Sequence, residues 1–260
     1  MAIGSDQDKL AEGTLLSHLL ELRTRLMRAL IAVAIAFVPC AYFANDLFEF
    51  MSEPLKAKLP QGASLVATSV MSPFTTPFKL SFMVGLFIAM PVVLGQIWGF
   101  VAPGLYRHEK RFALPLLVSS ILLFYVGVAF AYFIVFPVMF QFFVGTTPAG
   151  VQMMTDINQY LDFALTMFFA FGVAFEVPIA VVLLALTGLV STEKLSSSRG
   201  YVIIGIFVIA ALLTPPDALS QTAMAIPMWL LYEAGVIFAR MMVREQKKNR
   251  ALEESTEAKE

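Results

Sequence analysis

Residues 112–155 read FALPLLVSSILLFYVGVAFAYFIVFPVMFQFFVGTTPAGVQMMT, a run without a single Asp, Glu, Lys or Arg. A membrane-spanning helix needs about 20 predominantly apolar residues, so this run holds one crossing and the turn that follows it. Outward from it the pattern recurs. Apolar segments at 26–43, 78–101, 161–186, 201–213 and 219–238 join the one at 112–135, which predicts six transmembrane helices. Charged residues make up 14% of the 260, against about 25% in soluble domains, and the deficit falls in these runs. The fold class expected is an all-α integral membrane protein. A single membrane domain covers 1–240, and a charged, partly disordered tail covers 241–260.

Basic residues are retained on the cytoplasmic side of a membrane. With the N-terminus inside, fifteen of the eighteen Lys and Arg are cytoplasmic, including Arg23, Arg25, Arg28, Arg107, Lys110 and Arg111. Only Lys56, Lys58 and Lys79 fall outside. The predicted topology is therefore N-in, C-in. Asp6, Asp8 and Glu12 precede the first apolar run, and no small-residue cleavage site follows it, so that run is expected to remain in the mature protein. The outer segment 45–77, with five prolines and glycines, is expected to form an ordered cap with short helices.

Pro39, Pro91, Pro115, Pro137, Pro178 and Pro227 lie in or beside the helices. Proline removes a backbone donor and bends a helix, so a kinked, curved bundle is expected. Gly95-x-x-x-Gly99 and Gly127-x-x-x-Ala131 would allow close helix approach. The lone Cys40 sits in an apolar run and reads as a small buried hydrophobe. The fifth and sixth helices read as short, separated by the tight turn Thr214-Pro215-Pro216-Asp217.

Catalytic signatures are missing. The chain has no G-x-x-x-x-G-K-[ST] loop, no H-E-x-x-H and no G-x-S-x-G. Enzyme activity, a cofactor, a metal site and nucleic-acid binding are not expected.

Polar residues near the membrane surface are more informative. Leu15, Leu19, Leu22 and Leu26 recur at helical spacing, while His18, Glu21, Arg25 and Arg28 share another face. An interfacial helix with a Glu21–Arg25 pair at i, i+4, contributing a few tenths of a kcal/mol, accounts for this segment as well as a binding face does. Between the second and third helices, Pro103-Gly104 breaks the helix before Tyr106-Arg107-His108-Glu109-Lys110-Arg111. That loop reads equally as a topogenic cluster with Glu109 neutralised by its neighbours. Glu176 is ionisable inside an apolar run, a costly placement that requires a cavity or a partner.

Four stretches, in order, carry a resemblance. They are His18-Leu19-Leu20-Glu21-Leu22-Arg23-Thr24-Arg25; Phe100-Val101-Ala102-Pro103-Gly104-Leu105-Tyr106 with His108-Glu109; Phe175-Glu176-Val177-Pro178; and Leu213-Thr214-Pro215-Pro216-Asp217 with Ser220-Gln221. Together they resemble the TatC family, over roughly residues 14–240. Lys110 departs from the arginine many members carry after the glutamate. The resemblance implies a receptor for twin-arginine signal peptides of folded precursors, whose consecutive arginines engage Glu21 and Glu109. Leu22, Arg23, Phe100, Pro103, Tyr106 and His108 would surround them. It further implies a polar site at Glu176 reached by an inserted peptide or partner helix. A groove near Thr214, Asp217 and Gln221 would dock the single-span TatB and TatA subunits. Self-association and export driven by the proton-motive force also follow from it. A small-solute transporter with Glu176 as its proton-coupled site is the competing reading. Carboxylates at the cytoplasmic surface favour a peptide, and carboxylates at midplane favour a solute.

The thirteen residues 201–213 make about 20 Å of helix at 1.5 Å per residue, short of the ~30 Å hydrocarbon core. A locally thinned bilayer, or a deep cavity, is expected beside Leu213. Spin-label depth measurements should find this position closer to the aqueous phase than a full-thickness bilayer allows.

Overall fold

A computed structural model describes residues 4–56, 65–101, 110–148, 154–213 and 218–257. Their regular structure is helical apart from one two-residue strand pair. Helix α1 (Gly4–Tyr42) fuses the amphipathic segment and the first apolar run, because no Gly or Pro interrupts 14–38. A short α2 (Ala44–Lys56) and strand β1 (Leu65–Val66) follow. Next come α3 (Ser72–Val101), α4 (Lys110–Phe130), a π turn (Ala131–Val135) and α5 (Phe136–Gly145). Strand β2 (Thr155–Asp156) pairs in parallel with β1, Leu65 opposite Thr155 and Val66 opposite Asp156. Helices α6 (Ile157–Ala174), α7 (Val177–Leu186), α8 (Thr192–Ser197), α9 (Arg199–Leu213) and α10 (Ala218–Glu257) complete the order.

Five helical stretches are long and apolar enough to cross a membrane: Ser17–Tyr42, Ser72–Phe100, Leu114–Gly145, Ile157–Leu186 and Gln221–Glu245. Helix α9 is shorter, at 15 residues, or about 22 Å. Large apolar side chains such as Ile35, Val38, Phe133 and Leu212 are exposed, as lipid-facing positions are in a solvent as apolar as leucine itself. The sixth helix is not short, contrary to the sequence expectation, and the charged tail does not unfold after Phe238. Helix α10 runs 40 residues to Glu257. The physical reason is that 239–257 contains no Gly or Pro and is rich in Ala, Met, Glu, Lys and Arg, all strong helix formers.

Prolines act in two ways. Pro39, Pro77, Pro91, Pro115 and Pro227 lie within continuous helices. Pro137 follows the π turn, in which the Phe136 amide bonds the Ala131 carbonyl. The widened turn makes room where the proline ring would otherwise meet the carbonyl four residues back. Pro178 cannot bond the Ala174 carbonyl, and there the helix is interrupted at Phe175 and Glu176 before α7 restarts.

The chain divides into two compact units, residues 1–48 with 77–117 and residues 49–76 with 118–260. In the first, α1 lies against α3. A Cβ on Gly85 would come within 2.9 Å of the Phe37 Cα, and the Phe37 ring meets Phe78 edge-on at 5.1 Å. The Ser81 hydroxyl lies 3.0 Å from the Cys40 carbonyl and 2.8 Å from that of Pro77. Cys40 is among the last four residues of α1, whose carbonyls lack intrahelical partners, and its own side chain is buried.

In the second unit, α4 meets α6 through two glycines. A Cβ on Gly127 would stand 2.5 Å from the Phe171 carbonyl oxygen, and one on Gly172 would stand 2.6 Å from the Phe124 ring. Of the two small-residue motifs, Gly127 thus makes a helix contact, whereas the space around Gly95 is open. Phe136 stacks on Phe168 at 4.7 Å, and Phe136, Phe168 and Phe171 are all buried. Helix α10 packs on α7, where a Cβ on Gly235 would lie 2.8 Å from the Pro178 Cα.

Overpacking against immobile backbone costs ~1–3 kcal/mol. Gly127→Ala should therefore lower the melting temperature in detergent by several degrees. Gly205→Ala, which meets nothing within 4 Å, should leave it unchanged or slightly raised. Circular-dichroism melts of the two variants check this.

Candidate functional site

Helix α1 brings His18, Glu21 and Arg25 together at successive turns of one face. Arg25 donates from Nε (2.9 Å) and Nη2 (2.6 Å) to Glu21 Oε1. This is the i, i+4 pair the sequence predicts. Among the described residues nothing bonds Oε2 of Glu21, and the side chain is 37% exposed. The end of α3 supplies the floor. The His18 ring stacks on Phe100 with centroids 4.2 Å apart. Gly99 lies directly beneath the Arg25 guanidinium, so any Cβ there would collide with it. The sequence motif had offered Gly99 for helix–helix contact; the structure instead uses its missing side chain to seat a guanidinium. Leu22 and Arg23 are exposed on the neighbouring face. Pro103, Tyr106, His108 and Glu109 lie outside the described residues, as do Thr214 and Asp217. Gln221 sits half-buried in the first turns of α10.

Glu176 occupies the break between α6 and α7. The Ser120 hydroxyl donates to its Oε2, and Ser120 is fully buried. Oε1 is buried and has no hydrogen-bond partner among the described residues. The glycine contacts of α4 with α6 explain the pairing, because they draw Ser120 on α4 close to the α6 terminus. The carboxylate therefore has one neutral hydrogen bond and one open acceptor.

Two polar clusters escaped the sequence reading. Glu233 is paired with Arg199 of α9, with Nε 2.6 Å from Oε1 and Nη2 donating to Oε2 at 2.8 Å. Thirty-four positions separate the partners in sequence, so no local spacing rule reveals them. The other cluster is Asp156, which caps α6. Its Oδ1 accepts the Asn158 and Gln159 amides at 2.9 and 3.1 Å. Its Oδ2 accepts the Thr68 amide at 3.0 Å and the Thr68 hydroxyl at 2.5 Å. Asn158 then bridges Ser72 and Thr76 through its amide group. The Tyr160 hydroxyl donates to the Met51 carbonyl at 2.7 Å. An Asp directly before an apolar helical run is a recognisable N-cap signal, so half of this latch was readable in advance.

The fold and these groups define a class: a multi-pass membrane protein of apolar helices whose prominent polar features are paired carboxylates rather than a nucleophile or metal centre. The chain belongs to the TatC family. The model of that family, described as Sec-independent protein translocase protein (TatC), matches residues 17–227. The chain is 60% identical over 243 residues to the Sec-independent protein translocase protein TatC of Azotobacter chroococcum mcd 1, covering 93% of this chain and 94% of that protein. It is 55% identical over 229 residues to that of Escherichia coli (strain K12), covering 88% and 89%. A crystal structure of the twin-arginine translocase receptor TatC superposes with a TM-score of 0.78 at 41% identity, covering 86% of this chain and 98% of that one. This protein is accordingly a component of the Tat protein-transport system and not an enzyme.

The four hydrogen bonds to Asp156, led by that from the Thr68 hydroxyl, hold its carboxyl at about 2, below the usual carboxylate range. A depressed value stabilises the fold fully above the ordinary range near 4, and the effect is lost as pH falls towards 2. Asp156→Asn should melt below wild type at pH 7. The gap should close between about pH 4 and pH 2, read by circular-dichroism melts across pH.

Proposed function

We propose that this chain is the receptor subunit of the twin-arginine translocase, binding twin-arginine signal peptides of folded proteins at its cytoplasmic face through Glu21 and Glu109. Leu22, Arg23, Phe100, Pro103, Tyr106 and His108 complete the surface. In this reading the chain crosses the cytoplasmic membrane six times with both termini inside, α9 being the short crossing. The region of Thr214, Asp217 and Gln221 receives TatB and TatA, and export draws on the proton-motive force.

The observation that carries the reading is the state of Glu21. Arg25 fixes its Oε1 from within the same helix, and among the described residues Oε2 has no partner. A carboxylate oriented in this way presents an acceptor edge to an incoming guanidinium without first having to be ordered. Arginine suits such an edge because its planar fork makes parallel N–H···O bonds, whereas lysine offers a compact point charge. Hydrogen bonds to charged groups contribute ~1.5–3 kcal/mol, less where water screens them. Two such sites would separate Arg-Arg from Lys-Lys by roughly tenfold or more. The Phe100 ring and the Gly99 seat keep His18 and Arg25 in register with the carboxylate. The preponderance of basic residues in the segments assigned to the inside supports the topology.

Site-specific photocrosslinking beside Glu21 and Glu109 in native membranes tests the reading. An Arg-Arg signal peptide should label both positions, and a Lys-Lys peptide should label them at least several-fold less. Glu109→Ala should abolish labelling at the loop. Equal labelling by both peptides would sink the assignment.

A further inference from the structure

Arg25 and Arg199 are each held by a carboxylate. Arg240 and Arg244 are not: among the described residues neither has an acidic partner within ion-pair distance. Both lie on the α10 stripe that begins at Glu233, seven and eleven residues further on, one above the other at i, i+4 spacing. Like charges so placed repel. They line a cavity of about 220 Å³ between α8 and α10, together with Thr192, Glu193 and Val243. Its walls are fixed, since the Tyr232 hydroxyl on α10 donates to the Leu195 carbonyl of α8 at 2.6 Å. The Arg199–Glu233 pair ties the start of α9 to the same helix.

We propose that this cavity binds the phosphate of an anionic glycerophospholipid. The two guanidinium groups in the lining supply the positive charge that the single negative charge of a phosphodiester requires. The cavity also lies at the end of the apolar stretch Gln221–Glu245, and basic pockets at the ends of membrane helices recruit anionic headgroups. Acyl chains find a surface directly beside it. Ile237, three residues before Arg240, and Met241, three before Arg244, are 54% and 59% exposed. A lipid placed there relieves the Arg240–Arg244 repulsion and covers apolar side chains at once. The site is separate from Glu21, and it stands or falls independently of the peptide reading.

Native mass spectrometry of the delipidated full-length protein tests it, with dioleoylphosphatidylglycerol, dioleoylphosphatidylcholine and inorganic phosphate as probes. Wild type should retain phosphatidylglycerol over phosphatidylcholine by about fivefold for each arginine engaged. R240Q/R244Q should bring the two lipids level. Glu193→Gln, which removes the opposing charge, should raise retention of phosphatidylglycerol. An unchanged lipid ratio in R240Q/R244Q overturns the assignment, and so does a Glu193→Gln variant that gains nothing. Displacement of the lipid by equimolar inorganic phosphate overturns it in favour of a free-anion site.

Discussion

The contact between α4 and α6 is so close that neither Gly127 nor Gly172 could carry a side chain without striking Phe171 or Phe124. In lipid, where apolar surface gains little from being covered by another helix, dispersion contacts between well-fitted surfaces hold helices together. Backbone-level approach multiplies those contacts. It also brings Ser120 to the break after α6, where it donates to Glu176. The half-buried carboxylate is tolerable because the helices meet this tightly, and the break at which it sits exists because Pro178 cannot continue the ladder. The same Pro178 receives Gly235 of α10. Four helices, α4, α6, α7 and α10, therefore depend on one small-residue seam and one proline.

The cluster around Glu21 works on a different principle. Its carboxylate is partly exposed, and an isolated exposed ion pair contributes little. What α1 provides is orientation. One oxygen of Glu21 is occupied by Arg25, and the guanidinium is seated on Gly99. The stacked His18 and Phe100 rings limit how far the assembly can rotate. Geometry set in advance lowers the cost of any contact to the open Glu21 oxygen, since fewer side chains must be ordered to make it.

Most helices were legible because apolar runs and prolines act within a few residues of each other. The Glu21–Arg25 pair was legible for the same reason, being four residues apart on one helix. Charge is no sign of disorder at the C-terminal end. From Arg240 onward the residues are polar but are also good helix formers with no breaker, and α10 simply continues. Contacts between distant segments left no local trace. Arg199 finds Glu233 only after α9 and α10 have turned back on one another. The seat at Gly99 was visible as a glycine, but its occupant was not. Family motifs point to Glu21, Glu109 and Glu176 as candidates, whereas the contacts of Glu21 and Glu176 with Arg25 and Ser120 belong to the folded chain.

The bonds between Asp156 and Thr68 join positions 88 residues apart. During synthesis the segment around Thr68 emerges well before Asp156 does. Until the start of α6 has been made, Thr68 has no Asp156 carboxylate to meet, and the Asn158 amide cannot bridge Ser72 and Thr76. The latch therefore imposes a chronology on biogenesis. The cap region is a late-closing clasp, which cannot fasten until every residue from α3 to the start of α6 has been made.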